Sequence, residues 1–246
     1  MMRSQELLER FIAYPTISQN PTTEFSAELA ERAQSLGGTV HLFQSNPHKE
    51  NIVIQFGDPS QDSIALSGHM DVVPTIGQNW NSDPFRALVQ GDHIIGRGSC
   101  DMKAFFAIVY SVLERLDLRK AKRAITLVWT HDEEVGCMGA AHLPKQMEAA
   151  NLQLPESVLI GEPTSMDIFH HHGGHSTIGI ELQGIPAHSS KPHLGLSANG
   201  MLLEVMQLIQ DWDRWLSQQI CPIAQSAAIS NIGQVQGGTA VNIIAE

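Results

Sequence analysis

Four short apolar runs, separated by segments with helical periodicity, constrain the fold more than any other feature of this sequence. The runs cover residues 52–56, 64–67, 125–129 and 158–160, and the predicted helices cover about 4–12, 25–36, 102–116 and 140–149. Apolar runs of this length, bounded by turn residues, are typical of buried strands. Their alternation with helices predicts an α/β domain whose mixed, partly parallel sheet is covered by helices on both faces.

The pattern changes after about residue 170. Residues 175–183 alternate between apolar and polar as a strand does, residues 196–215 predict a helix of about five turns, and residues 227–232 predict another strand. We therefore expect a first domain at 1–172 and a smaller α+β domain at 173–246.

Composition excludes several classes of partner. With 246 residues, 42% of them hydrophobic, the chain can bury a core, and its formal net charge of −11 argues against binding to nucleic acid or to an anionic membrane. The start, Met1–Glu6, has no apolar run behind its charge, which is unlike a signal peptide, and no stretch is apolar enough to span a membrane. Cys100, Cys137 and Cys221 form no CxxC pair, as is usual in a reducing compartment. We expect a cytoplasmic protein with buried thiols.

Side chains with metal-ligand chemistry follow the apolar runs. His69, the pair Glu133 and Glu134, and Glu162 each come just after one of them. In α/β sheets, functional residues collect beyond the carboxyl ends of the strands. A charge at a strand end does nothing for the core, so the repeated placement favours a functional site.

Two of the candidate residues have strong structural alternatives when each is taken alone. His69 and Asp71 lie on one side of an extended segment, where the carboxylate can hold the second ring nitrogen, but a surface turn gives the same pattern. Asp101 opens the helix predicted at 102–116, where an acidic N-cap is common. The glycines at 96 and 98 would nevertheless let the backbone come close to a bound ion.

The acidic run Asp132-Glu133-Glu134 is harder to explain structurally, because three successive carboxylates repel one another unless a cation compensates. One of two adjacent carboxylates can bind a metal while the other acts as a general base. Glu162 is followed by Pro163, which stiffens its turn. This mixture of nitrogen and oxygen donors suits zinc, with cobalt or manganese also possible, and the lack of a cysteine cluster argues against a structural zinc site.

Taken together, the motifs resemble those of the M20 family of metallopeptidases and deacylases. The segments that carry the resemblance are Ser67–Pro74, Asp83–Phe85, Gly96–Lys103, Asp132–Cys137 and Gly161–Thr164. The cysteine before Asp101, the Val-Gly-Cys after Glu134 and the Gly-Glu-Pro-Thr form are similar to the acetylornithine deacetylase branch. The resemblance implies a catalytic domain of the zinc-dependent exopeptidase type, followed by a lid and dimerisation domain.

The resemblance also implies a set of metal ligands. His69 and Glu162 would bind one zinc ion, Asp101 would bridge two, and Glu134 would bind the second. The zinc ions are implied by the family, and cobalt can replace zinc in the same donor set.

Further roles are implied for residues around the metal ions. Asp71 would orient His69, and Glu133 would be the general base in hydrolysis of the acetyl amide of N-acetyl-L-ornithine to ornithine and acetate, a step of arginine biosynthesis. In the lid, His188 would help to hold the oxyanion, in many members reaching in from a partner subunit, and Asn242 would contribute to substrate binding.

The resemblance further implies a later segment that completes the sheet and supplies a last histidine ligand to the second zinc. The 246 residues end at Glu246 within the resembled lid, and the spacing of His131 and His142 does not suggest a replacement. We therefore expect one zinc site with all its protein ligands, one without its histidine, and little or no deacetylase activity from these residues alone.

Other functions stay open at this point. A succinyl-diaminopimelate desuccinylase or another N-acyl-amino-acid hydrolase fits the same metal centre, and a non-catalytic remnant or dimerisation module fits the expected loss of a ligand. The expected partners are a small N-acyl amino acid and, in the complete enzyme, a second copy of the chain.

Overall fold

The computed structural model describes residues 3–58, 62–223 and 225–246, and it divides into two compact units, Met1–Met166 and Asp167–Glu246. The division falls a few residues before the boundary predicted at 172. The assignment of a catalytic role to the first unit and a lid role to the second stays a prediction.

The first unit alternates between strands and helices, as the sequence predicts. In chain order its elements are α1 (Arg3–Ile12), α2 (Thr23–Ser35), β1 (Thr39–Asn46), β2 (Lys49–Phe56), β3 (Ser63–His69), β4 (Leu88–Gln90), β5 (His93–Ile95), α3 (Lys103–Leu113), a 3-10 turn (Leu118–Lys120), β6 (Ala124–Thr130), a second 3-10 turn (Ala140–His142), α4 (Leu143–Ala149) and β7 (Ser157–Ile160).

Five strands form one mixed sheet in the order β1-β2-β6-β3-β7. The pairs β1/β2 and β2/β6 are antiparallel, whereas β6/β3 and β3/β7 are parallel. Helix α3 lies in the connection between the parallel neighbours β3 and β6, as parallel pairing requires. Strands β4 and β5 form a separate antiparallel pair. The predicted α/β class with a partly parallel sheet is confirmed.

The core of the first unit lies between the sheet and helices α1, α2 and α3. Trp129 of β6 is fully buried there, with its ring centroid 4.4 Å from that of Phe106. Because side chains alternate along a strand, Ile52 and Ile54 of β2 join this cluster, whereas Val53 packs on the other face against α4. The sheet is therefore covered by helices on both faces. The carboxyl ends of β3, β6 and β7 lie along one edge of it.

One strand prediction for the first unit needs correction. The run at 158–160 is predicted to be buried, but Val158, Leu159 and Ile160 of β7 are all exposed. The reason is position, because β7 is the last strand in the sheet order and therefore an edge strand. Strand β1 has no counterpart among the predicted strands; it is the other edge strand, its residues are half-buried or exposed, and it pairs antiparallel with β2.

The second unit contains one long helix, α5 (Ala198–Leu216), and a 3-10 turn at Pro192–Leu194. The helix confirms the prediction at 196–215. It begins after Ser197, whose hydroxyl oxygen accepts a hydrogen bond from the backbone N–H of Gly200, a common N-cap arrangement.

The two strands predicted in the second unit are wrong. Residues 175–183 have no regular structure. Residues 227–232 make one isolated bridge, between Ile220 and Ala227. All of residues 171–180 are exposed, so their alternating pattern has no buried face and no partner strand to complete a ladder. Among the described residues, no helix is long and apolar enough to cross a membrane.

Candidate metal centre

Three parallel strands bring the predicted ligands to one edge of the sheet. His69 is the last residue of β3, Glu133 and Glu134 follow β6, and Glu162 follows β7. Because β6, β3 and β7 are parallel neighbours, their carboxyl ends lie side by side. Gly161 lies against the ring of Phe105, where an added Cβ would collide, so a glycine is required at the turn that presents Glu162.

Asp101 reaches the same place from the turn before α3. The helix begins at Lys103, and Met102 is its N-cap, so Asp101 is not the N-cap that its position suggests. The turn is closed by a hydrogen bond from the Lys103 N–H to the carbonyl of Gly98, a glycine with φ of 81°. The Asp101 carboxylate is thereby free to face His69 instead of the helix backbone.

Three carboxylates converge on the Nε2 atom of His69. This atom lies 2.9 Å from Asp101 Oδ1, 3.6 Å from Glu162 Oε1 and 4.0 Å from Glu133 Oε2. Ligand atoms lie within 4.8 Å of one another in two groups, His69 with Glu133 and Glu134, and His69 with Asp101 and Glu162. The imidazole is buried and the Asp101 side chain is half exposed, so the cluster has a floor of protein and an opening to solvent.

The hydrogen bond at Nδ1 of His69 leaves the Nε2 atom facing the carboxylates. Nδ1 lies 2.9 Å from the main-chain carbonyl oxygen of Asp71, which can only accept a hydrogen bond, so Nδ1 carries a proton. The Asp71 carboxylate is farther away, at 3.7 Å. Residue 71 therefore orients the imidazole mainly through its backbone, where a carboxylate contact was expected.

The Asp71 carboxylate holds a different part of the centre. It accepts hydrogen bonds from the backbone N–H groups of Glu133 and Glu134, at 3.0 and 3.3 Å, and from the Ser18 hydroxyl at 2.8 Å. Burial opposes the charge of Asp71, but its contacts with His69 and these donors outweigh burial and lower its pKa. The side chain is thus an ionised anchor for the turn that carries the two glutamates.

Asp132 is not part of the cluster, although it belongs to the same acidic run. Its Oδ1 lies 2.7 Å from the ammonium group of Lys49, and its Oδ2 lies 2.9 Å from His131 Nδ1. The cation that compensates this carboxylate is therefore a lysine. The argument from three mutually repelling acids applies to Glu133 and Glu134, not to all three.

The electrostatics of the cluster favour a bound cation. Burial alone would lower the pKa of His69, but its contacts with Asp101 and Asp71 outweigh burial and raise the pKa to about 11. Burial, followed by the charge of Asp101, raises the pKa of Glu134 to about 7, and burial also raises that of Glu162. Crowded carboxylates whose negative charge is disfavoured in this way fit a divalent metal ion, which would supply the compensating charge.

The other histidines of the first unit that the sequence singles out lie outside this cluster. His131 is buried, with Nε2 2.8 Å from Ser45 Oγ and Nδ1 on Asp132. His142 is exposed in a 3-10 turn. Neither belongs to the ligand groups found among the described residues.

His188 and Asn242 lie in the second unit, where the chain brings their segments together. His188 makes an isolated antiparallel bridge with Ile243, and the Ser189 N–H donates to the carbonyl of Asn242 at 3.0 Å. The Ser190 N–H donates to His188 Nδ1 at 3.1 Å, so the ring proton of neutral His188 sits on Nε2. His188 is exposed and therefore presents an N–H donor to solvent.

The prediction of buried thiols is wrong. Cys100, Cys137 and Cys221 are all exposed. The first two belong to the loops that carry metal-ligand residues, and Cys137 Sγ lies 3.6 Å from Glu133 Oε1. Loops at the carboxyl edge of a sheet face solvent, which explains why small residues there are not buried.

Ser18 and Lys49 contact the residues that carry the centre, yet the sequence gives no sign of them. Ser18 lies in a Pro/Thr/Ser loop, and Lys49 stands at the beginning of a strand, where a lysine is ordinary. Their partners, Asp71 and Asp132, are distant in sequence, so only the fold reveals the contacts.

A buried imidazole ringed by carboxylates, at the carboxyl edge of a mixed α/β sheet, is typical of metal-dependent hydrolases. Comparison with known proteins gives the family: residues 65–230 match the model of peptidase family M20/M25/M40. The match covers more than half of the chain, and the chain belongs to this family.

Curated relatives carry a more specific name. The chain is 31% identical over 219 residues to an acetylornithine deacetylase of Vibrio campbellii, which covers 88% of this chain and 57% of that protein. It is 28% identical over 249 residues to an acetylornithine deacetylase of Buchnera aphidicola subsp. Acyrthosiphon pisum, covering 97% of this chain and 64% of the relative. The chain therefore spans less than two thirds of the length of these relatives.

Solved structures show the same fold. A tripeptidase from Staphylococcus aureus has a TM-score of 0.66 at 19% identity. The match covers 99% of this chain and 63% of the tripeptidase chain. An M20 family metallo-carboxypeptidase from Sulfolobus solfataricus has a TM-score of 0.57 at 23% identity. The match covers 65% of this chain and 37% of the carboxypeptidase chain.

Proposed function

We propose that the chain provides the catalytic centre of a zinc-dependent amidohydrolase that converts N-acetyl-L-ornithine to ornithine and acetate. The observation that carries this proposal is the convergence of three carboxylates on the Nε2 atom of one buried histidine, with Glu134 in the same cluster. The choice of substrate is supported by the relatives named acetylornithine deacetylase.

The residues present fit one divalent ion with three protein ligands and supply two of the ligands of a second. His69 and Glu162 would hold one, Asp101 would lie between the two, and Glu134 would hold the second. One nitrogen donor and several carboxylate oxygens suit zinc, with cobalt as an alternative. The fit to the first ion rests on the grouping of His69, Asp101 and Glu162, and the raised pKa of Glu134, which lies in the same cluster, is what a second cation would offset.

When bound, such an ion supplies a Lewis acid that makes water easier to deprotonate and polarises the amide carbonyl. Glu133 is proposed as the general base that accepts the proton of the attacking water. As the C–O bond forms and the C–N bond breaks, Glu133 returns that proton to the leaving amine of ornithine. Its backbone N–H is held by Asp71 at 3.0 Å, so the carboxylate leaves the main chain from a fixed point.

His188 and Asn242 are proposed to act on the substrate from the second unit. The exposed Nε2–H of His188 is the donor that an oxyanion would need. Asn242 lies in the segment that pairs with the His188 loop, so an amide side chain is available beside this donor. A homodimer, in which a second copy supplies His188, is part of the same proposal and is tested by the molar mass in solution.

The experiment is acetate release by the purified 246-residue chain, stripped of metal and reloaded with Zn²⁺ or Co²⁺. Co²⁺ binding is followed in parallel by visible absorption. Glu133→Gln is expected to lower release by at least about 100-fold and to retain Co²⁺ binding. Glu148→Gln, on the exposed face of α4, is the matched control and should change neither.

The possible failures of this experiment are distinct. If the chain binds no Co²⁺, the metal centre is wrong. If Co²⁺ binds but neither N-acetyl-L-ornithine nor N-succinyl-diaminopimelate is hydrolysed, the 246 residues bind metal without catalysing either reaction. If the succinyl compound is hydrolysed faster, the centre is that of a desuccinylase.

A further inference from the structure

Lys49 stands at the start of β2, outside every motif that defines the centre. Its ammonium group donates to the main-chain carbonyl of Ser18 at 2.6 Å and to Asp132 Oδ1 at 2.7 Å. We propose that Lys49 is a positioning residue, which holds Glu133 and Glu134 where the proposed function needs them. The proposal rests on that function, because the position of Glu133 and Glu134 matters only if the centre binds a cation.

The first path from Lys49 to the glutamates runs through Asp132. Asp132 has a φ of 54°, a left-handed conformation that is unfavourable for an L-residue and persists where its surroundings enforce it. Both carboxylate oxygens are engaged, one by Lys49 and one by His131. Since Glu133 is the next residue, the conformation of Asp132 sets the direction in which the two glutamates leave β6.

The second path runs through Ser18 and Asp71. Lys49 fixes the backbone of Ser18, whose hydroxyl donates to Asp71 Oδ2 at 2.8 Å. The Asp71 carboxylate then accepts the backbone N–H groups of Glu133 and Glu134. Both paths therefore start at one ammonium group and end at the same dipeptide, which makes its placement sensitive to Lys49.

Burial makes this dependence strong. The side chains of Lys49 and Asp132 are 8% and 15% exposed, so water screens their attraction poorly. Removing the lysine would leave the Asp132 carboxylate in a largely buried place with one partner fewer, which is the costly way to break such a pair. The relief available to Asp132 is to turn toward solvent, and Glu133 would move with it.

The test measures Co²⁺ affinity and the visible absorption spectrum of the bound ion in the full chain. The variants are Lys49→Met and Asp132→Asn, which break the same ion pair from opposite sides, and the matched control is Lys145→Met on the exposed face of α4. Loss of a residue that orients ligands typically weakens metal binding 10- to 100-fold. We expect both variants to raise the Kd for Co²⁺ by at least about 10-fold and to alter the absorption bands, and the control to match the unchanged chain.

The thermal unfolding midpoint of the metal-free chain separates positioning from stability. A lower midpoint with unchanged Co²⁺ affinity and spectrum in Lys49→Met would show a purely structural role and overturn the proposal. If Lys49→Met does not fold, Asp132→Asn decides alone by the same two readouts. Failure of the unaltered chain to bind Co²⁺ would overturn the proposed function and this proposal together, whereas binding that is indifferent to both variants would overturn the role of Lys49 only.

Discussion

The two units of this chain hold their candidate functional residues by different means. In the first unit, His69 is 2% exposed and lies beside a sheet whose core is centred on Trp129. In the second unit, the buried hydrophobic residues among those described are Ala198 and Ala245, and His188 is exposed. Tertiary packing fixes the first histidine, whereas local hydrogen bonds fix the second.

This difference bears on how each unit could act in catalysis. Ligands that are set by packed strands have their geometry before a metal arrives, which lowers the cost of binding. A histidine on an exposed loop can change rotamer and meet a substrate after it has bound. Under the proposed function, the first unit would hold metal and the second would contact the substrate.

A matched pair of tryptophans gives the largest expected effect. Trp129→Ala removes a fully buried ring from the core of the first unit and should lower the free energy of unfolding by about 3–5 kcal/mol. Trp215→Ala, on α5 in the second unit, removes a ring that is 55% exposed and should cost less than about 1 kcal/mol. Urea unfolding followed by circular dichroism measures both. Similar losses for the two variants would show that the contrast in burial does not govern stability.

A pair of serines tests the same contrast at the sites themselves, with a smaller expected effect. Ser18→Ala removes a buried hydroxyl that donates to Asp71, and it should weaken Co²⁺ binding by about 10-fold. Ser190→Ala removes a hydroxyl beside His188 Nδ1, but the Ser190 backbone N–H still donates to that atom. We therefore expect Ser190→Ala to leave Co²⁺ affinity and acetate release unchanged. Calorimetric titration of both variants decides, and an unchanged affinity in Ser18→Ala would contradict the anchoring role of Asp71.

The sequence predicts that β3, β6 and β7 form and that the candidate ligands after them come together, for a physical reason. Once the apolar runs before His69, Glu133 and Glu162 are assigned to parallel strands, their ends must meet at one edge of the sheet. What the runs cannot predict is the sheet order, so the exposure of β7 at the edge is not foreseen. The supporting contacts of Lys49 are also hidden, because they join residues that are distant in sequence.

The strand predictions fail in the second unit because the predicted strands have no neighbouring strand to pair with. The alternation at 175–183 is real, but a period of two produces a strand only where a neighbour completes the ladder and one face is buried. The helix α5 succeeds because its hydrogen bonds are internal and its N-cap, Ser197, is local. Locally determined structure is therefore predicted in both units, and structure that depends on tertiary contacts is predicted only in the first.

Substitutions at helix caps should change the free energy of unfolding least. They compare local with tertiary stabilisation most directly. Ser197 caps α5 through its hydroxyl, so Ser197→Ala should cost about 1 kcal/mol. Thr22 occupies the same position before α2, but its side chain makes no capping hydrogen bond and its buried Oγ1 has no hydrogen-bond partner in the described part of the chain. Thr22→Val keeps the shape and removes an unsatisfied hydroxyl, so it should be neutral or slightly stabilising.

Urea unfolding with far-ultraviolet circular dichroism measures both cap variants on the same scale. A loss for Thr22→Val as large as that for Ser197→Ala would mean that the Thr22 hydroxyl stabilises α2 after all. The expected asymmetry follows from packing, because α2 is held by buried residues such as Phe25 and Leu29, whereas α5 buries one alanine and depends more on its own hydrogen bonds. Local capping should therefore matter most in the unit where tertiary burial contributes least.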